Sequence, residues 1–560
     1  MRKPAREKDL KLNLSDGKTA ALALFWALAL FWPPAGPLAA FSPDDDYLND
    51  RAALEKLQRD AFAYFWEDGD PHSGMAYEAD FGWEKRPVAV GGTGFGVAAL
   101  VAAADRGWVT RNQAVARLLK ITGFLRDQAS PPEMHGAFPH WLDGLTGEAL
   151  DFGQGDNGVD VVETSLLMQG LLIARAYFNG PGNEAELRAA ISRLWENVDW
   201  NWFSNGEENG LYWHWSPRGG YSGLKVLGFN ECLITYVLAA SSPSHPISRK
   251  TYDYWTSGRN YRPKNVFGYR IEAALPDAGP LFLTHYSFIG LDPRRLSDRF
   301  VTEGYFTRNV KQVLSNRGYC LEKAPARNRY AEDFWGLTAS QIKDGGYAAS
   351  SPDNDRGTVA PTAALASMPY TPHYSMQVLG HLAGRLKERA WGRFGPYDAI
   401  SLRDGWVSPH TLAVDQLPIV SLVENYRSGL LWELLMSDPE VQAGLRKAGL
   451  AEPGLPQGFP EAVPTLWKEG RQYVPDAYEI RRHPDSGLYE VPCWRDEAGP
   501  VFFSISDSSD GTPLYQSEIK ARPGRNMLRF PQFEKVTAEK RVLSLKGPDG
   551  QEWRLPIRLH

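Results

Sequence analysis

Between about residues 46 and 450 the chain alternates two hydrophobic patterns, each introduced by a Gly-rich or polar loop. One pattern is apolar nearly all round the helical period: 91–104 (GGTGFGVAALVAAA), 159–177 (VDVVETSLLMQGLLIARAY), 228–240 (GFNECLITYVLAA), 359–368 (VAPTAALASM) and 416–436 (QLPIVSLVENYRSGLLWELLM). The other carries a single apolar stripe, over 48–66, 111–126 and 184–198. A helix apolar on every side must be buried, whereas a striped one lies at a surface. The alternation therefore predicts two concentric helical layers, an all-α (α/α)6 toroid of about six helix hairpins. Strands read as short and local, as at 209–215 (NGLYWHW), and no βαβ rhythm is present.

The pattern changes near Pro453, where Pro453, Pro456, Pro460 and Pro464 mark a linker over 451–470. From 471 to 560 the segments 501–506, 514–519, 526–530 and 553–559 alternate between Asp-Gly and Pro-Gly turns, which predicts a small β-sandwich module. At the other end, a charge-free run of 13 residues (20–32) follows six basic and three acidic side chains and precedes PPAGPLAA. Such a run is shorter than the roughly 17–25 residues of a membrane span and suits a signal peptide over 1–40. The expected mature protein is exported, periplasmic or extracellular, with no stable membrane span and a helical domain over 45–450.

Composition narrows the picture. The 560 residues hold 61 basic and 67 acidic side chains, a net charge of −6, so the basic field needed for nucleic acid is absent. Aromatics are abundant, with 19 Trp, 24 Tyr and 25 Phe. Their rings can fill a large core or stack on sugar C–H faces. Cys232, Cys320 and Cys493 allow at most one disulfide, and Cys232 reads as a buried small hydrophobe. The 11 His follow no metal-binding spacing, and Asp353-Asn354-Asp355-Arg356-Gly357 lacks the later acidic ligand of a calcium loop. The glycines of GGTGFG lack the strong preceding strand of a phosphate loop and read as close packing of an inner helix. No metal and no cofactor are expected.

In a toroid, polar groups at the starts of apolar inner helices face the central cavity. Three such starts carry acids: Asp156, Asp160 and Glu163 in the first, Glu231 in the second, Asp415 in the third. Asp160 and Glu163 share a helix face, but they also fit a capping box, and Asp415 fits an ordinary N-cap. Glu231 is the only charge between Phe229 and Ala240. A buried carboxylate without partners has its pKa forced upward, toward what a general acid needs. Two carboxylates facing one another are the minimum apparatus for cleaving a glycosidic bond.

At these residues a family resemblance becomes specific. The segments 91–100 (GGTGFGVAAL), 156–165 (DNGVDVVETS), 228–234 (GFNECLI), 252–261 (YDYWTSGRNY), 279–292 (GPLFLTHYSFIGLD), 330–340 (YAEDFWGLTAS), 357–369 (GTVAPTAALASMP) and 415–432 (DQLPIVSLVENYRSGLLW) run in matching order over roughly 45–450. Together they resemble the bacterial glucoamylase-like (glycoamylase) family, which includes the β-1,2-glucanases of glycoside hydrolase family 144. The resemblance implies an (α/α)6 toroid hydrolysing β-1,2-linked glucans with inversion, Glu231 as general acid, Asp156, Asp160 and Glu163 as further pocket acids, and Asp415 as another that could serve as or help the base. Which acid activates the water stays open. Trp141, Trp213, Trp215, Trp255, Arg259, His285, Tyr286 and Trp335 lie near the matched segments and are candidate subsites for an oligo- or polysaccharide, though each can equally fill the core. A transglycosylase of the same fold, a toroidal polysaccharide lyase and a non-catalytic glycan-binding envelope protein remain as alternatives.

Overall fold

The computed structural model describes residues 51–80, 86–129, 131–152, 158–343 and 345–450. Beyond them it describes 466–468, 471–473, 478–480, 489–495, 499–507, 511–521, 524–531, 541–546 and 552–559. The 1–40 signal segment and most of the 451–470 linker lie outside the described residues.

The helices, in order, are α1 (Arg51–Glu67), α2 (Val90–Asp105), α3 (Arg111–Asp127), α4 (Val161–Tyr177), α5 (Asn183–Asn197), α6 (Leu233–Ser241), α7 (Arg249–Trp255), α8 (Tyr305–Glu322), α9 (Pro361–Ala366), α10 (Pro372–His381), α11 (Ala413–Arg427), α12 (Leu430–Met436) and α13 (Pro439–Ala448). The striped helices bury one side: α1 presents Leu54, Leu57, Ala61, Phe62 and Phe65 inward at helical spacing. The apolar helices α6 and α9 are buried along their whole length, and α2 and α4 along all but their last turn.

The buried segments follow one another in a closed circuit. α2 packs on α4, and α4 on α6; α6 meets the 3-10 turn Ser287–Ile289, whose neighbour Leu281–Thr284 meets α9; α9 then packs on α11, and α11 back on α2. Outside this circuit α1 lies against α11 and α2, α3 against α2 and α5, α8 against Leu281–Thr284, α10 against α9, and α13 against α6. The tightest approach is between α2 and α4. A Cβ on Gly94 would fall 2.1 Å from the Leu166 carbonyl oxygen, and one on Gly170 would fall 2.1 Å from that of Gly94. The glycines of GGTGFG thus lie inside a helix, where they let two backbones touch.

Three helical boundaries differ from the sequence reading. The apolar stretch 416–436 is two helices, because Gly429 takes φ 76° between α11 and α12. Residues 228–232 do not join the helix of the 228–240 stretch: α6 starts at Leu233 after its N-cap Cys232, so Glu231 sits in the turn before it. Asp415, read as a possible N-cap, is instead the third residue of α11, whose N-cap is Leu412.

Short strands gather at the starts of the buried helices. Val88–Ala89 pairs with Trp141–Leu142 and runs directly into α2; Val159–Asp160 pairs with His214–Ser216 and runs directly into α4. Single bridges tie Tyr77 to Val88, Ala79 to Leu412 and Val359 to Ile400. These pairings bring loops distant in sequence to one end of the circuit.

Past residue 470 the described residues are strands. A five-stranded sheet orders Tyr478–Ile480, Glu552–Leu559, Arg541–Lys546, Gly499–Asp507 and Pro513–Ala521, while Tyr489–Arg495 pairs with Gly524–Phe530. Val501, Phe503 and Ile505 point to a buried face and Phe502 is exposed, the period-2 alternation of a half-covered sheet. The two sheets meet through Phe503, Tyr515 and Phe530.

Candidate active site

The acids at the helix starts converge. Asp160 is the N-cap of α4: its side chain accepts hydrogen bonds from the backbone of Val162 at 2.8 Å and Glu163 at 3.0 Å, both at Oδ1. Its Oδ2 points the other way, accepting from the Trp213 indole at 3.1 Å and lying 3.4 Å from His140 Nδ1 and 3.5 Å from His214 Nδ1. Capping thus takes one oxygen of this carboxylate and leaves the other to Trp213, His140 and His214. Glu163 does not close a capping box. It crosses to α2, where Oε2 accepts from the backbone of Gly91 at 2.7 Å, and Oε1 lies 3.9 Å from His140 Nε2.

Burial dominates the electrostatics. The Glu163 carboxyl is pushed up to about 7, first by desolvation; His140 opposes the shift, and the charges of Asp160 and Glu78 add to it. Glu231 keeps some exposed surface, yet its carboxyl is walled in and is also pushed up to about 7, by desolvation first, with Asp160 adding to the shift against the hydrogen bond of its own backbone. The Ser287 hydroxyl donates to the Glu231 carbonyl and accepts from the backbone of Ile234 at 3.0 Å, pinning this turn to the start of α6.

Across from this group stands a second. Asp415 is held well above the carboxylate range by burial, then by the charge of Asp398 and a hydrogen bond between the two carboxyls, with a further contribution from Glu78. Burial raises Asp398 to about 6, against a hydrogen bond from the backbone of Gln341 at 2.7 Å. The Tyr286 phenol lies in the negative field of Asp415, Glu231 and Glu163 together, which joins the two groups into one site. Tyr347 is half exposed, yet its phenol feels Asp415, Asp398, Glu78 and Glu163.

Of the sequence candidates, Asp160, Glu163, Glu231, Asp415, Trp213 and Tyr286 come together here. Trp141 joins them: its indole lies close enough to Glu78 to favour the charged form of that carboxyl, and its ring meets Phe152 edge to face at 4.8 Å. Others do not reach the site. Trp255 is fully buried and stacked on Tyr236 at 4.5 Å; Trp335 is fully buried; His285 is buried against the Ser367 hydroxyl, and desolvation drops its imidazole to about 3. All three are core residues, since the ring that would stack on a sugar is already covered. Trp215 packs against His135 and Trp202 rather than beside Trp213. Asp156 and the side chain of Arg259 lie outside the described residues.

The sequence reading missed Glu78, His140, His214, Tyr347 and Asp398. Among them Asp398 had a usable sign, because it is a lone acid flanked by Tyr397, Ala399 and Ile400, the same sign that singled out Glu231. Asp355, in the motif weighed as a calcium loop, is occupied by Tyr319, Asn328, Tyr330 and the backbone of Gly357. Among the described residues no group of three or more His, Cys, Asp or Glu is arranged to hold a metal ion. Cys232 and Cys320 are free and buried.

The fold is helical, as in glucanases of known structure. An endo-β-1,2-glucanase from Chitinophaga pinensis, solved with sophorotriose and glucose, is 44% identical, covers 72% of this chain and 98% of its own, and superposes with a TM-score of 0.69. A β-1,2-glucanase structure from Parabacteroides distasonis is 40% identical over 71% of this chain and 60% of that one, with a TM-score of 0.67. A fungal endo-β-1,2-glucanase from Talaromyces funiculosus, at 12% identity and a TM-score of 0.54, shares the fold. The family model "Glycoamylase: Putative glucoamylase" matches residues 223–439. The chain belongs to this glucoamylase-like family. A curated relative from Parabacteroides distasonis, named exo β-1,2-glucooligosaccharide sophorohydrolase (non-reducing end), is 40% identical over 425 residues, 71% of this chain. The chain spans 58% of that relative's length.

Proposed function

We propose that the protein is an exported glycoside hydrolase cleaving β-1,2-glucan, with an (α/α)6 toroidal catalytic domain over 45–450 and a C-terminal β-sandwich module over 471–560. The closed circuit of buried helices supports the toroid, and the facing of two sheets through Phe503 and Phe530 supports the sandwich. The observation that carries the activity is Glu231, a walled-in carboxyl raised to about 7 beside Asp160, in a chain 44% identical to an endo-β-1,2-glucanase.

In this reading Glu231 gives its proton to the glycosidic oxygen as the bond to the anomeric carbon breaks. A water adds to that carbon, and a facing carboxylate, Asp160 or Glu163, takes the proton the water releases. The reaction inverts the anomeric centre and needs no cofactor. Trp141, Trp213 and Tyr286 flank the acids and present ring surface and polar edges to a neutral sugar.

The test is a panel of linear and cyclic glucans of defined linkage. Reducing sugar should be released from β-1,2-glucan, and Glu231→Gln should abolish the release while the protein still folds. No product from any β-1,2-glucan, or near wild-type turnover by Glu231→Gln, overturns the reading.

A further inference from the structure

Asp398 stands outside the proton transfers just described, yet it is 1% exposed and lies against Asp415, which is 6% exposed. Each of these carboxyls has one buried oxygen, Oδ1 of Asp398 and Oδ2 of Asp415, that no N–H or hydroxyl donor reaches. Two carboxylates in hydrogen-bond contact cannot both be ionised, so one proton must lie between them. The partners fix where it resides. Asp398 accepts from the Gln341 backbone at 2.7 Å through Oδ2, which favours its charged form; Asp415 meets burial, the charge and hydrogen bond of Asp398 and the charge of Glu78, all of which favour its neutral form.

We propose that Asp398 is a positioning residue: anchored by Gln341, it accepts a hydrogen bond from the protonated Asp415 and so presents Asp415 to the substrate as a fixed, neutral acid. This rests on the hydrolase reading. It also assigns Asp415 a part different from the base. A neutral carboxyl cannot take a proton from water, but its second oxygen can accept from a sugar hydroxyl, and its proton, held by Asp398, fixes the direction of that oxygen. Among the described residues the titratable groups around the pair are Glu78 and Asp80 on the segment before α2, Tyr286 on the turn after Leu281–Thr284, Tyr347 on the strand paired with Ala339–Gln341, and His410, whose carbonyl accepts from the Asp398 backbone. Asp80 is engaged by the Thr411 backbone at 3.0 Å and by His410 Nδ1 at 3.3 Å.

Asp398→Asn removes the charge that helps to keep Asp415 protonated. Asp415 then ionises at lower pH, and the titration of its carboxylic-acid C=O stretch moves acidward by about one pH unit or more. A titration of that band that superposes on the wild type in a folded variant overturns the proposal. Should Asp398→Asn not fold, the comparison of Asp415→Asn with Asp415→Ala decides it. The amide of Asn donates to Asp398 as the carboxylic acid does, so Asp415→Asn should retain roughly tenfold more activity than Asp415→Ala; a base role makes the two equally inactive. Infrared difference spectroscopy at a pH above the ordinary carboxylate range, wild type against Asp415→Asn, reads the dyad without turnover. The carboxylic-acid C=O stretch of Asp415 should be present in the wild type and lost in the variant. If that band is present and no glucan is cleaved, the hydrolase reading fails while the dyad stands; if it is absent from an active enzyme, the dyad fails alone.

Discussion

The two ends of α11 carry buried acids in opposite circumstances. Near its C-terminal end Glu424 is fully buried, and its carboxylate is clasped by Arg106 through Nε at 2.8 Å and Nη2 at 2.7 Å. Burial alone would raise its pKa, but Arg106, Ser428 and Arg427 bring it below the usual range. At the start of the same helix Asp415 meets Asp398 and Glu78 and, among the described residues, no cation, and is held well above that range. α4 repeats the contrast: Glu163 at its start is raised to about 7, whereas near its end Arg175 is matched by Asp438 at 2.7 Å and Glu440 at 2.6 Å. One end of the helical circuit is closed by compensated ion pairs. At the other, acids lie among acids, with no arginine or lysine against them among the described residues, the arrangement that perturbs pKa values at functional sites.

The largest effect should come from breaking the uncompensated end chemically. Glu231→Gln should lower kcat by about 10³-fold, within the range for loss of a general acid. Its thermal unfolding should move upward at pH 8, because a buried charge has been removed. A drop in stability equal to that of a core truncation would instead make Glu231 a structural residue.

The compensated end should respond in the reverse sense. Arg106→Ala leaves Glu424 buried without its bidentate partner and should destabilise the helical domain by about 3 kcal/mol. Activity per folded molecule should be little changed. Loss of turnover in fully folded Arg106→Ala would show that the two ends are coupled.

Proton linkage separates the ends by pH. An unfolded Glu titrates near 4.3, whereas Glu231 and Glu163 fold with values of about 7. Between those values the folded state holds more protons, so these two groups make the fold less stable as pH rises from about 4.5 to 7. Glu424 acts the other way: its stabilisation is present above about 4.3 and is lost as pH falls through its lowered folded value. A melting-temperature series from pH 4 to 9 should therefore fall less steeply toward alkaline pH in Glu231→Gln than in the wild type, by the equivalent of ~3.5 kcal/mol at pH 8. Parallel curves would mean that Glu231 does not titrate in this window.

Much of this contrast was legible in the chain. Glu231 stood out because a lone charge in an apolar run must be paired or raised, and the alternation of apolar and striped helices predicted which helix starts would face inward. The rest depended on contacts that periodicity does not encode. His140 and Glu78 reach the acids through pairings of Val88 with Leu142 and of Tyr77 with Val88, each only a residue or two long. Trp255 and Trp335 could not be separated from Trp141, because an indole stacks on Tyr236 with the same face it would offer a sugar. The break at Gly429 was hidden by apolar residues on both sides of it.

Asp160 belongs to both kinds of site at once, so its substitutions give the finest and smallest test. One oxygen caps α4; the other faces Trp213, His140 and His214. Asp160→Asn keeps an oxygen for the backbone of Val162 and Glu163 and should match wild-type stability within a few tenths of a kcal/mol, whereas Asp160→Ala loses the cap and should be less stable by about 1 kcal/mol. Both variants lose the negative charge that helps to raise Glu231 and Glu163. Glu231 then gives up its proton at lower pH, and the alkaline limb of whatever activity remains should move acidward equally in the two. Equal stability of Asn and Ala would remove the cap from the account, and an unmoved limb would remove Asp160 from the environment of Glu231.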